Sequence, residues 1–147
     1  MKVIDMHCDT LMSAYRNPAY QLLHNEKTMV DFARMKQGGQ MAQFFAMFLL
    51  PPGAEKFLGM DHPIDDDDYI DQLSAALKRN VEANSDIIAM ASNADEMLAN
   101  WDAGKMSAIL TIEGPAGFGF DPALLQDLYM VGFRMTSLGW NEQNLLT

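Results

Sequence analysis

The sequence has a single cysteine among its 147 residues, so no disulfide can form within the chain. A chain without disulfides is typical of a reducing compartment. Basic residues are also scarce, because ten lysines and arginines stand against twenty aspartates and glutamates, and the formal net charge is -10. Nucleic acids and anionic membranes are bound by clustered basic residues, so both are disfavoured as partners.

Long hydrophobic runs are absent as well. The longest one, around residues 44–50, is far shorter than the roughly 20 apolar residues of a membrane-spanning helix. The first residues, MKVIDMHCD, lack the apolar stretch and the small-residue cleavage site of a secretory signal peptide. Together these observations predict a cytoplasmic protein that binds neither nucleic acid nor membrane.

The composition that remains is that of an ordinary globular domain. Hydrophobic residues make up 49% of the chain and charged residues 20%, which is enough to build one hydrophobic core. Neither a repeat nor a low-complexity linker divides the sequence. Residues 1–147 are therefore interpreted as one domain segment.

Short apolar stretches alternate with amphipathic ones along the chain. The apolar stretches predict buried strands at residues 2–6, 40–50, 87–90, 106–112 and 133–138. Between them, apolar residues three or four apart predict helices. Glycines supply the stop signals after these helices, at Gly38, Gly39, Gly104 and Gly132.

Polar residues mark where the predicted helices begin. Thr28 and Ser92 are interpreted as N-caps, Thr28 with Asp31 three residues later as a weak capping box. The aspartates at 65–68 are interpreted as the acidic first turn of a helix rather than as a calcium site, because acidic groups there favour the helix dipole.

Alternating strands and helices, with strands covered on both faces, favour a parallel α/β sheet built from right-handed crossovers. An open doubly wound sheet and a (β/α)8 TIM-type barrel both fit this pattern. A closed barrel usually needs about 250 residues. If the fold is a barrel, this chain supplies only the first half or so of it.

Candidate metal ligands stand at the ends of two predicted strands. His7 and Asp9 follow the first strand two residues apart, so they can point to the same side. Glu113 ends another strand, where a carboxylate is costly unless it is paired or binds a metal. Parallel α/β folds place their sites at this end of the strands, and an imidazole with carboxylates suits zinc or a similar divalent ion.

A plainer interpretation of the same residues stays open. On spacing alone, His7 and Asp9 fit equally well as a histidine hydrogen-bonded to a nearby carboxylate. Cys8 lies between them and is interpreted as packing, because it should point the other way. Glu113 favours the metal site, since a carboxylate can also bridge two cations.

Four segments of the sequence occur in a recognisable order. They are residues 5–11 (DMHCDTL), residues 38–46 (GGQMAQFFA), residues 112–114 (IEG), and residues 128–141, which run from LYMVGFR to LGWN. Together they resemble the membrane (renal) dipeptidase family of zinc metallopeptidases, particularly its bacterial members. The resemblance covers essentially the whole chain.

The resemblance implies a (β/α)8 barrel of the metal-dependent hydrolase type that holds two zinc ions (Zn2+). His7 and Asp9 would bind one zinc, and Glu113 would bridge both. The implied activity is hydrolysis of the peptide bond of dipeptides by a water that the two metal ions activate. Trp140 aligns with a substrate-contacting histidine of the mammalian enzymes, so it is a candidate substrate contact.

Part of the family's site has no match in this chain. The family takes two further histidine ligands and an acid–base aspartate from later strands, which are expected beyond Thr147. His24 and His62 precede Glu113 in loop-like surroundings and are interpreted as solvated or structural. The 147 residues alone are therefore predicted to bind a pair of metal ions weakly or not at all and to have negligible peptidase activity. Their exposed sheet edge predicts self-association as a homo-oligomer or aggregate.

Two other functions stay open. The first is a metal-dependent amidohydrolase that acts on a lactam or related amide, although such enzymes often carry His-x-His where this chain has His-x-Asp. The second is a non-catalytic scaffold that retains part of a ligand set. Intact ligands in a longer reading frame would argue against the scaffold.

Overall fold

The computed structural model describes residues 2–51, 53–114 and 122–141 of the chain. Within these ranges five strands alternate with four α-helices. The strands are β1 (Val3–Cys8), β2 (Gln40–Phe48), β3 (Ile88–Met90), β4 (Met106–Glu113) and β5 (Phe133–Thr136). The helices are α1 (Phe32–Gln37), α2 (Asp66–Ala83), α3 (Ala94–Asp102) and α4 (Pro122–Val131), with short 3-10 helices at Thr10–Ala14 and Ala54–Leu58.

The five strands form one parallel sheet. β2 lies between β1 and β4. β3 and β5 share the other side of β4, β3 against residues 106–108 and β5 against residues 110–112. Because all the strands run the same way, the carboxyl ends of β1 and β4 meet at one edge of the sheet, with β2 between them.

Helix α2 covers one face of the sheet. Its apolar stripe is buried as the sequence predicts, at Ile70, Leu73, Leu77 and Val81. The same hydrophobic cluster contains alternate residues of the central strands, Phe45, Met47, Leu110 and Ile112. Within the described ranges, no helix combines the length and the apolar character needed to cross a bilayer.

Helix α3 packs against the opposite face. Its Met97 contacts a second, smaller cluster that contains Ala42 of β2 and Ile109 of β4. The side-chain amide of Asn100 donates to Ser107 Oγ at 3.0 Å near the start of β4. Helix α3 therefore covers this face close to where the strands begin, and the strand ends on the same face stay partly exposed.

The predicted N-caps are wrong, by three residues for α1 and by one residue for α3. Asp31 caps α1 in place of Thr28, whose hydroxyl donates to main-chain carbonyls within its own loop. Asn93 caps α3 in place of Ser92, and its Oδ1 accepts from Glu96 N at 2.9 Å. In both cases a carboxylate or amide oxygen reaches the free N–H groups and the nearby hydroxyl does not.

Other predicted boundaries are close to the observed ones. β1 extends to Cys8 rather than ending at Met6, and β5 ends at Thr136. The aspartate run begins α2 as predicted, with Asp65 as the N-cap that accepts from Asp68 N at 2.9 Å.

Asp31 also holds together the loop that precedes α1. One carboxylate oxygen accepts from Arg34 N at 2.8 Å, and the other accepts from Asn25 N at 3.0 Å and Arg34 Nη2 at 2.8 Å. The same guanidinium donates to Asn25 O and Thr28 O at 2.7 and 2.6 Å. Although burial opposes ionisation, these hydrogen bonds outweigh it and lower the pKa of Asp31 to about 2.

This low pKa makes the stability of the fold sensitive to acid. Because the unfolded carboxyl titrates near pH 3.9, the contribution of Asp31 is complete above about pH 5 and is lost as the pH falls towards about 2. The shift corresponds to about 2 kcal/mol of unfolding free energy. Urea unfolding should therefore show a gap between the parent chain and Asp31→Asn that shrinks between about pH 5 and pH 3. A gap independent of pH would contradict this role.

Candidate metal centre

His7 and Asp9 lie at the carboxyl end of β1. His7 belongs to the strand, and Asp9 follows it at the N-cap position of the first 3-10 helix. The Asp9 side chain makes no capping hydrogen bond there, so its carboxylate is free to turn towards His7. The distance from His7 Nε2 to Asp9 Oδ2 is 3.1 Å, and each side chain is 46% exposed.

Glu113 reaches the same point from β4. It is the last residue of that strand, and its Oε2 lies 3.2 Å from His7 Nε2. Gly114 follows with a positive φ of 73°. A Cβ at this position would lie only 2.8 Å from the main-chain oxygen of Leu49. The chain next to Glu113 therefore needs glycine both for its backbone conformation and for this close approach.

The three side chains form one cluster. One ligand atom from each of His7, Asp9 and Glu113 lies within 4.8 Å of the other two. The sequence predicted this convergence of two strand ends, and the structure places the residues as predicted. Since one imidazole nitrogen and two carboxylate oxygens are donors that zinc and similar cations prefer, the residues fit a divalent metal ion.

The electrostatics of the cluster also favour a cation. The pKa of Glu113 is raised, first by burial and then by the nearby charge of Asp9, while His7 acts in the opposite direction. Across residues 2–51, 53–114 and 122–141, no lysine or arginine forms an ion pair with these carboxylates. A positive ion between the carboxylates would relieve both their repulsion and the cost of burying Glu113.

A model of the family described as membrane dipeptidase (peptidase family M19) matches residues 1–147. The chain belongs to this family. The resemblance found in the four sequence motifs is thereby confirmed.

Curated and solved relatives agree with this membership. The chain is 28% identical to Dipeptidase tcpJ of Claviceps purpurea (strain 20.1) over 117 residues, which are 79% of this chain and 27% of that protein. It is similar in structure to a metallo peptidase from Rhodobacter sphaeroides liganded with a phosphinate mimic of the dipeptide L-Ala-D-Ala. That match has 25% identity and a TM-score of 0.79, and it covers 98% of this chain and 47% of the other.

A second solved structure, dipeptidase AC, gives a similar result. Its identity is 23% and its TM-score 0.78, over 98% of this chain and 44% of the other. The chain thus spans less than half the length of these relatives. These matches confirm the α/β fold with a parallel sheet and its correspondence to about half of a membrane dipeptidase structure.

Two aromatic residues lie beside the cluster of His7, Asp9 and Glu113. Phe48 is opposite Glu113 in the ladder between β2 and β4. The ring of Trp140 packs on Phe48, with ring centroids 4.7 Å apart and planes inclined by 60°. Trp140 remains 47% exposed, so one side of its ring is available to a bound molecule.

The other two histidines stay away from the cluster. His24 and His62 are both exposed in loops. In the described part of the chain, neither belongs to a group of side chains that could hold a metal ion. The interpretation of these residues as solvated or structural is consistent with their positions.

Sequence reasoning missed two residues near the cluster. Asp5 accepts a hydrogen bond from the main-chain N–H of His7 at 3.1 Å, a contact that its place in the DMHCD segment could have suggested. Tyr69, in the first turn of α2, is buried with an unpartnered hydroxyl. Burial and then Asp9 raise the pKa of Tyr69. Nothing in the local sequence of α2 signals this proximity.

Proposed function

We propose that the protein to which this chain contributes is a zinc-dependent dipeptidase that hydrolyses the peptide bond of dipeptides. The observation that carries the proposal is the convergence of His7, Asp9 and Glu113 at the strand ends. Membership of the membrane dipeptidase family supports it. So does the structural relative that holds a phosphinate mimic of L-Ala-D-Ala, because a phosphinate resembles the tetrahedral geometry of peptide hydrolysis.

His7, Asp9 and Glu113 would hold the metal. In this proposal His7 and Asp9 would bind one zinc ion, and Glu113 would contribute to binding both ions of the pair. Zinc ions at such a site lower the pKa of a water to near neutrality and polarise the scissile carbonyl.

The chain's own residues prepare this site in two ways. The carboxylates of Asp9 and Glu113 concentrate negative charge at one point, which attracts a cation. His7 Nε2 is shared between them at 3.1 and 3.2 Å, so a cation must replace a proton or a hydrogen bond there. Metal affinity should consequently fall at acidic pH. The acid–base residue is proposed to lie outside this chain.

Phe48 and Trp140 are proposed to contact the substrate. Their packed rings form an apolar wall beside Glu113. Tryptophan offers an aromatic surface where a histidine would offer a hydrogen bond, so an apolar part of the dipeptide would lie against it.

We also propose that the protein is located in the cytoplasm.

The chain by itself is expected to be a poor metalloenzyme. It contributes three candidate ligands, which is fewer than a two-zinc site requires. Purified 147-residue chain, passed over a desalting column and assayed for zinc, should retain less than about one ion per chain. It should not hydrolyse L-Ala-D-Ala above the rate of its Glu113→Ala variant. Two firmly bound zinc ions together with turnover would show that the ligand set is complete without further residues.

A longer protein tests the proposed function itself. A polypeptide that continues into the remaining half of the fold should bind zinc and hydrolyse dipeptides, and a chelator should abolish the activity reversibly. A longer protein that binds zinc without hydrolysing any dipeptide would refute the proposed substrate. One that binds no metal would favour the scaffold interpretation.

A further inference from the structure

Strand β1 contains an extra residue close to the cluster of His7, Asp9 and Glu113. Asp5 stands opposite Gln43 of β2, and the next paired residue, Cys8, stands opposite Phe45. Three steps along β1 therefore match two steps along β2. The opposite mismatch lies earlier in the strand, where the neighbours Val3 and Ile4 stand opposite Gln40 and Ala42, so the later mismatch restores the register with which β1 began. This mismatch is a β-bulge at Met6 and His7.

By undoing the shift at Ile4 and Asp5, the bulge sets which face of the sheet receives His7. With regular alternation from Asp5, His7 would stand opposite Phe45, whose side chain is fully buried in the main core. The extra residue gives that buried position to Cys8, which belongs to the same core cluster. His7 instead turns to the face where Glu113 lies, 3.2 Å away.

The side chain of Asp5 occupies the irregular part of the ladder. A bulge leaves one residue without its regular ladder partner, and an unpaired main-chain N–H is costly. The N–H of His7 donates to Asp5 Oδ1 at 3.1 Å.

Strand β2 holds the start of the bulge in place. Gln43 is fully buried, and its Nε2 donates to Asp5 O at 3.4 Å and to Phe44 O at 3.1 Å. Gln40 Nε2 in turn donates to Gln43 Oε1 at 2.6 Å. Contacts from the neighbouring strand and from Asp5 thus fix both ends of the irregular segment.

We propose that Asp5 is a positioning residue whose carboxylate maintains the β1 bulge, keeping His7 on the face of Glu113 and Cys8 in the core. The consequence for metal binding rests on the proposed function. The consequence for the faces occupied by His7 and Cys8 does not, so the two can be tested separately.

The first test measures Cys8 in the metal-free 147-residue chain. Cys8 is the only cysteine and is 8% exposed, so a thiol reagent such as DTNB reports on this position alone. Asp5→Ala should raise the labelling rate about tenfold or more, because the N–H of His7 loses its acceptor. Asp5→Asn keeps an acceptor oxygen and should stay within about threefold of the parent rate.

A matched control separates a local change from general loosening. Val81→Ala removes buried side-chain volume from the last turn of α2, and also lowers stability. When rates are compared at equal loss of unfolding free energy, Cys8 should label faster in Asp5→Ala than in Val81→Ala. Equal rates would overturn the proposal. If Asp5→Ala does not fold, Asp5→Val removes the same acceptor with a side chain that strands tolerate well, and the same comparison applies.

The second test measures the zinc affinity of the longer protein by competition with a chromophoric chelator. Asp5→Ala should weaken binding about tenfold or more, as loss of a positioning contact does at other metal sites, and Asp5→Asn should restore it. Faster labelling together with no zinc binding by the longer protein would uphold the role of Asp5 and refute the proposed metal site. Unchanged zinc affinity in an Asp5→Ala variant that labels faster would refute the link between the bulge and ligation.

Discussion

Replacing Glu113 with alanine is expected to lower dipeptide hydrolysis by the longer protein by about 1,000-fold or more, since metal ions at such sites contribute several kcal/mol to catalysis. The reason is geometric. Glu113 is the one member of the cluster that comes from β4, whereas His7 and Asp9 both come from the end of β1. Without it the remaining ligands are two neighbours in sequence, which cannot enclose a metal pair.

Metal content provides a readout that is independent of activity. Glu113→Ala should lose zinc on dialysis, whereas Glu82→Ala, which removes the same charge from an exposed position of α2, should retain it. Glu113→Gln should also lose affinity, because the amide keeps the size of the side chain but not its charge. Full zinc content and normal turnover in Glu113→Ala would rule out the role assigned to this residue.

Replacing Gly114 with alanine is expected to destabilise the fold by about 2–4 kcal/mol, from the positive φ and from the steric overlap together. The new Cβ would lie 2.8 Å from Leu49 O and 3.2 Å from the ring of Phe48. Leu49 N also donates to Glu113 O at 2.9 Å. The main chain that must move is therefore the one that holds Glu113, so zinc affinity should fall with stability.

Gly104 supplies the matched control for this substitution. Its φ is +77°, close to the +73° of Gly114, but a Cβ there meets nothing within 4 Å. Gly104→Ala should therefore cost only the conformational part, about 1 kcal/mol, and leave zinc affinity unchanged. Chemical unfolding of both variants measures the difference, and equal losses would mean that the contact with Leu49 is unimportant.

The sequence was sufficient to predict the strand order along the chain and the residues that converge. Apolar runs identified β2 and β4, and the polar residues after β1 and at the tip of β4 identified the cluster, because parallel strands bring their carboxyl ends together. The four ordered motifs identified the family. These features depend on short-range patterns, which a single sequence contains.

Features that depend on pairing between distant residues could not be predicted. Simple alternation brought His7 and Asp9 to the same side, but in the structure β1 ends before Asp9 and a bulge turns His7. The bulge is visible only in the register with β2. Likewise, the sequence predicted Thr28 as the N-cap of α1, whereas Asp31 takes this position in the structure and also contacts Asn25 and Arg34. The position of α3 across the second face of the sheet has no sequence signal either.

The arrangement of strands around β4 gives the two halves of the candidate site unequal rigidity. β4 pairs with β2 along one side, and with β3 and then β5 along the other. Glu113 therefore belongs to the strand with the most pairing in the described sheet. His7 and Asp9 lie at the end of β1, which pairs with β2 alone among the described strands. When a metal ion binds, we therefore expect the end of β1 to become more ordered, while the end of β4 keeps its position.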